Sequence, residues 1–170
     1  MLDLGGGAAS YSIALCGANP ELRSIVIEQP EPLDIAAPLV EAHGLQDQIE
    51  LVEGDFLTLD LGDDSDVILI SGVVLIKSEA EIRELFQRAY DALVPGGMVI
   101  VQDFMRIDYS EERSFLDIMM DLYVLIGFDP AAGDRHGNEY AAWLRDTGFV
   151  DIDQIPLPTQ LALITATTPA

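Results

Sequence analysis

Three glycines follow a short apolar run at the start of the chain, in Asp3-Leu4-Gly5-Gly6-Gly7-Ala8-Ala9. A strand that enters a glycine turn and leaves it as a helix brings backbone close to a ligand. It also aims the free N–H groups of the helix start at the ligand's negative end. Phosphates, dinucleotides and methyl donors are all bound by such turns. Two acids further along narrow the chemistry. Glu28 closes the next apolar run, and a carboxylate there can accept two hydrogen bonds from the cis-diol of a ribose. Asp55, in Glu53-Gly54-Asp55-Phe56, closes the one after. It can accept from an adenine amino group while Phe56 packs on the ring. Taken singly, each acid reads as a solvated loop residue. Their placement at successive strand ends, on the edge where open α/β sheets bind ligands, points instead to a nucleoside-containing ligand.

The elements that must position these residues alternate. Apolar runs bounded by turns predict strands over Leu2–Leu4, Ser24–Glu28, Ile49–Glu53, 67–71, 98–103, 150–155 and 161–165. Amphipathic stretches predict helices over 9–16, 33–42, 79–93, 110–126 and 139–146, closing the last at Gly148. Ser78, followed by Glu81 three positions on, reads as a capping box. Strand and helix in alternation are the signature of βαβ units and a parallel sheet. The chain contains no internal repeat, linker or low-complexity segment, so 1–170 is expected to form one domain. The first strand is short for a central one, which predicts either a truncated strand or cover supplied by a partner.

Thirty acidic residues stand against eight basic ones, for a formal net charge of −22, and Lys77 is the single lysine. Such a surface repels phosphate backbones, so no nucleic-acid partner is expected. It reads either as a plain soluble acidic surface or as adaptation to high salt, where counter-ions screen self-repulsion. No apolar run reaches the ~18 residues of a membrane span, and no basic-then-apolar leader opens the chain. A cytoplasmic protein with no membrane partner is expected. Cys16 is the only cysteine, so it cannot form an internal disulfide, and nothing near it in sequence reads as a thiolate metal site. No oxygen cluster with divalent-cation spacing can be assembled, so no metal is expected.

The stretches LDLGGGAAS, VIEQP, VEGDF, DVILIS, ALVPGGMVIVQDF, AGDRHGNEYAAWLRDTGF and the closing LALITATTP bring the reading to a family. Together they resemble the catalytic domain of the small-molecule O-methyltransferases of the plant caffeic-acid and hydroxyindole type, bacterial relatives included. The resemblance implies a Rossmann-like, doubly wound, seven-stranded sheet, mostly parallel with an antiparallel last strand and helices on both faces. It implies S-adenosylmethionine as cofactor. Asp3, Gly5, Gly6 and Gly7 would flank its methionine part, Glu28 would hold the ribose, and Asp55 and Phe56 would meet the adenine. Ser71 would line the same pocket. The acceptor would be a small molecule with a hydroxyl, its pocket formed within 105–128, Met119, Met120 and Tyr123 above all. The family's N-terminal dimerisation domain has no counterpart here, so a homodimer or a partner subunit is expected to complete the site.

One departure bears on catalysis. The family's fourth strand leads to a histidine that deprotonates the acceptor hydroxyl. In Val74-Leu75-Ile76-Lys77 that position is Leu75, which cannot accept a proton. The carboxylates that accompany the histidine have counterparts in Asp103 and Asp134. His136 falls where the family has a helix-capping threonine, and reads as a cap or as a relocated base. The catalytic candidates are therefore Asp103, Asp134 and His136. A donor-binding subunit without catalysis and a nicotinamide-dependent oxidoreductase are the alternative readings. The second needs a GxGxxG fingerprint, whereas this turn ends in Ser10.

Overall fold

Each of the seven predicted strands enters one seven-stranded sheet in the computed structural model, which describes all residues except 108–114, 129–130, 134 and 159–160. In chain order the elements are β1 (Leu2–Leu4), α1 (Ser10–Ala18), β2 (Ser24–Glu28), α2 (Pro30–Ala42), β3 (Ile49–Glu53) and β4 (Ser65–Ser71). A 3-10 turn at Val74–Ile76 then leads to α3 (Glu79–Ala92), β5 (Leu93–Phe104), α4 (Phe115–Gly127), α5 (Gly137–Thr147), β6 (Val150–Pro156) and β7 (Leu161–Thr167). The strands lie in the order β3-β2-β1-β4-β5-β7-β6. β7 runs antiparallel to both β5 and β6, and the remaining pairs are parallel. This is the architecture the sequence predicts, including the antiparallel last strand.

Because side chains alternate across a strand, the sheet buries two different layers. Leu2 and Leu4 of β1, Ile27 of β2 and Ile68 and Ile70 of β4 face one way, against Leu85 and Phe86 of α3 and Tyr140 and Leu144 of α5. Val26 faces the other way and packs with Cys16 of α1 and Ala36 and Val40 of α2. Phe86 is fully buried, so its truncation to alanine would cost about 3–5 kcal/mol. The three-residue β1 is buried throughout and sits centrally, paired to β2 and β4.

Local signals set the helix ends. Ser78 Oγ accepts from Glu81 N while Glu81 Oε2 accepts from Ser78 N at 2.9 Å, completing the expected box on α3. Pro30 opens α2 three residues earlier than apolar spacing alone indicates, because a proline costs a helix nothing at its first position. Of the helix predicted over 110–126, α4 is the described part, and 110–114 lie outside the described residues. Its apolar spacing reads as core, yet Val124 is the one buried residue among its described side chains, and Ile126 is 76% exposed. Among the described residues no helix is long and apolar enough to cross a membrane.

Candidate functional site

Strand order reverses direction at β1, whose neighbours are β2 on one side and β4 on the other. Turns leaving the carboxyl ends of two such strands diverge and open a crevice. At the end of β1, Gly5 adopts φ +74, and a Cβ there would lie 2.7 Å from Val73 Cγ2 and 3.4 Å from Phe56 Cε1. A Cβ on Gly6 would lie 2.7 Å from the Asp3 carboxylate. Only glycine fits at either position. Around Gly7, and around Gly72 at the end of β4, nothing lies within 4 Å of an added Cβ, so both turns border open space.

Glu28 ends β2 beside this turn. Its Oε2 accepts from Gly7 N at 3.0 Å and its Oε1 from Gln29 N at 2.7 Å. Asp55 follows β3 and is exposed, with Oδ1 accepting from Leu57 N at 2.9 Å. Phe56 is half-buried, with Cε1 close to Gly5 and its ring centroid 5.9 Å from Lys77 Nζ. Arg88 of α3 pins this loop by donating to the carbonyls of Phe56, at 2.9 Å, and Leu59.

Beneath Gly6, Asp3 is 1% exposed. Its Oδ2 accepts from Ser12 Oγ at 2.6 Å, and Ser12 Oγ lies 2.8 Å from Ser24 Oγ. Its Oδ1 has no hydrogen-bond partner among the described residues. Burial pushes the Asp3 carboxyl above its ordinary range, partly offset by the Ser12 hydroxyl, and the charge of Glu28 raises it further.

A cleft of about 320 Å3 opens beyond the end of β4, with Leu75, Asp103, Phe104, Met120, Tyr123 and Phe128 among its walls. Ser71 Oγ donates to Gln102 Oε1 at 2.5 Å, and both residues line the cleft. Asp103 is 2% exposed. Its Oδ2 accepts from Leu75 N at 3.0 Å and its Oδ1 from Phe104 N at 2.8 Å. Burial raises its pKa to about 6, against the pull of these backbone N–H groups.

The structure therefore brings most of the expected residues together. Gly5 and Gly6 pack on Phe56 and Asp3, Glu28 bonds Gly7, and Ser71 and Asp103 share the cleft. His136 stands apart from that cleft: its Nδ1 accepts from Asn138 N at 3.1 Å, and its backbone N donates to Glu139. It is the N-cap of α5, as one of the two sequence readings has it. Asp134 lies outside the described residues. Met120 and Tyr123 reach the cleft, whereas Met119 is not among its lining residues. Gln102, Gly72 and Ser12 were not singled out from sequence. The polar pair Gln102-Asp103, directly after the apolar run Val99-Ile100-Val101, is the signal available for the first.

A family model described as the O-methyltransferase domain matches residues 1–150. The chain is 28% identical over 152 residues to a 3-hydroxy-5-methyl-1-naphthoate 3-O-methyltransferase of Streptomyces sahachiroi, covering 89% of this chain and 43% of that protein. It is 31% identical over 148 residues to a mitomycin biosynthesis 6-O-methyltransferase of Streptomyces lavendulae, covering 87% and 41%. Among solved structures, the S-adenosylmethionine-dependent methyltransferase SibL in its apo form superposes with a TM-score of 0.86 at 27% identity. That match covers 99% of this chain and 50% of SibL. The chain thus spans less than half the length of the two curated relatives and half that of SibL.

Proposed function

The chain belongs to the O-methyltransferase domain family, and from that premise we propose that it transfers a methyl group from S-adenosylmethionine to the hydroxyl of a small molecule. The observation that carries the reading is the acidic cradle around the glycine turn. Asp3 offers a buried oxygen without a partner among the described residues, suited to the ammonium of an amino-acid tail. Glu28 offers a carboxylate to a cis-diol, and Asp55 with Phe56 offers an acceptor and a ring face to adenine. Gly7 and Gly72 leave the space. A nicotinamide dinucleotide would bring its pyrophosphate to the glycine turn, above the buried Asp3 carboxylate, which repels it. That disfavours the oxidoreductase alternative.

When bound, the donor supplies an electrophilic methyl group on a positively charged sulfur. The chain's share is to orient, to exclude water and to manage one proton. Leu75, Phe104, Met120 and Phe128 give the cleft apolar walls, and Ser71 and Gln102 give it polar groups that can fix an acceptor. With Leu75 at the base position, the acceptor that suits this cleft is a hydroxyl acidic enough to ionise near working pH. Phenols near ~10 would need a base. Among the catalytic candidates, Asp103 acts in this reading by holding the Leu75 turn, and His136 by holding the start of α5. Asp134 keeps the role of an accompanying carboxylate. Cytoplasmic action fits a lone, buried Cys16.

The test is transfer of a tritiated methyl group to a series of phenols and enols of graded acidity. Rates that follow each acceptor's own ionised fraction support the reading. Absence of transfer to every acceptor, with the donor bound, would leave the donor-binding subunit. The exposed apolar side chains of α4, Phe115 and Ile126 among them, favour a second copy or a partner subunit against that face. Sedimentation as a monomer that binds no hydrophobic dye would count against either.

A further inference from the structure

The layer between the sheet and α1 and α2 is apolar except at one place, where Asp3, Ser12 and Ser24 meet with no more than 1% of any of them exposed. Buried polar groups destabilise a fold unless they are bonded, and apolar residues of the same size would pack there more cheaply. The geometry is directional. Ser12 Oγ commits its single proton to Asp3 Oδ2 at 2.6 Å, so across the 2.8 Å to Ser24 it can only accept, and Ser24 must donate. The chain of donors runs from the start of β2, through α1, to a carboxylate at the middle of β1 and under Gly6. It engages one carboxylate oxygen only. Oδ1 stays buried with no partner among the described residues.

Resting on the donor-site reading above, we infer that Ser12, backed by Ser24, is a positioning residue that fixes the Asp3 carboxylate so that Oδ1 meets the cationic amino-acid end of the methyl donor. Each donated hydrogen bond polarises the next, so Ser24 strengthens the bond that Ser12 makes to the charge. A carboxylate free to rotate about its χ2 bond would offer the ligand an unfixed oxygen. One clamped through Oδ2 is set before the ligand arrives, which spares the ordering cost on binding.

The experiment compares two nucleoside thioethers by calorimetric titration: S-adenosylhomocysteine, which carries the ammonium, and 5′-methylthioadenosine, which lacks the amino-acid part. In Ser12→Ala, affinity for S-adenosylhomocysteine is expected to fall about tenfold or more, as for loss of a hydrogen bond to a charged group. Affinity for 5′-methylthioadenosine is expected to stay within about twofold. Ser24→Ala, which leaves the Ser12–Asp3 bond in place, is expected to show a smaller loss with the same selectivity. It carries the test if Ser12→Ala does not fold. An equal loss for both ligands, or no loss for either, overturns the inference. Failure of the unsubstituted protein to bind either thioether is a different result, and sinks the donor-site reading itself.

Discussion

The backbone N–H of Leu75 donates to Oδ2 of Asp103 across 3.0 Å, so the 3-10 turn after β4 and the carboxylate near the end of β5 form one unit. Phe104 N holds the other oxygen at 2.8 Å. Asp103 thus ties the 3-10 turn at Val74–Ile76 to the end of β5, and its negative charge is spent on backbone rather than offered to a ligand.

This unit sets a pH dependence. Asp103 titrates at about 6 when folded, and an unfolded aspartate near ~3.9. Between those values the folded protein keeps a proton that the unfolded chain has released. The contribution to stability is therefore complete below ~4, falls as pH rises through ~6 and is constant above. Its size is roughly 2–3 kcal/mol. Urea unfolding of the wild type and of Asp103→Asn, from acid to neutral pH, isolates the effect, since the other carboxylates cancel in the difference. A difference curve without a slope between those two values would contradict it.

Ala9 tests the turn. It is fully buried at φ +60, the left-handed region, immediately before α1. Left-handed backbone costs an alanine about 1–2 kcal/mol, and losing its buried methyl costs about 0.8 kcal/mol, so Ala9→Gly is expected to change stability by less than about 1 kcal/mol. Ala9→Val adds a branched side chain to a filled layer and is expected to cost more than about 2 kcal/mol. Denaturant midpoints check both. A valine variant as stable as the wild type would contradict this backbone.

Leu75 lines the cleft, so a proton acceptor placed there should act on the acceptor substrate. Leu75→His is expected to raise turnover of weakly acidic phenols by about a hundredfold or more, and to add an ionisation near ~6.5 to the rate profile. Steady-state rates against pH measure it. An unchanged profile in a folded variant would mean that this side chain does not reach the reacting oxygen.

A net charge of −22 repels itself, and salt screens that repulsion. Melting temperature is expected to rise from dilute buffer to molar KCl. Equal melts in both would remove the case for adaptation to high salt.

The sheet was legible because most of its strands are apolar runs closed by turn residues, with β6 alternating apolar and polar residues instead, and Ser78 with Glu81 marked the start of α3 without ambiguity. The positions of Glu28, at the end of β2, and of Asp55, just past β3, were legible for a related reason: strand ends can be read, and open sheets bind ligands there. The Asp3–Ser12–Ser24 chain was not, since it joins residues 9 and 12 apart through the packing of α1 on the sheet, where no local pattern applies. α4 misleads by the same measure. Its spacing of apolar residues is that of a core helix, but spacing states which side chains share a face and not whether anything covers it. His136 supported two readings from sequence. Hydrogen bonds from Asn138 N and to Glu139 match the capping one.

On the reading proposed above, the cradle of Asp3, Glu28, Asp55 and Phe56 holds a methyl donor. Calorimetric titration of S-adenosylhomocysteine into the chain, at low and at molar salt and beside Asp55→Ala, reads that binding out. Saturable binding is expected, weakened by the substitution by about tenfold or more, as for loss of a hydrogen bond to a charged group. No binding at either salt by a chain shown to be folded would contradict it.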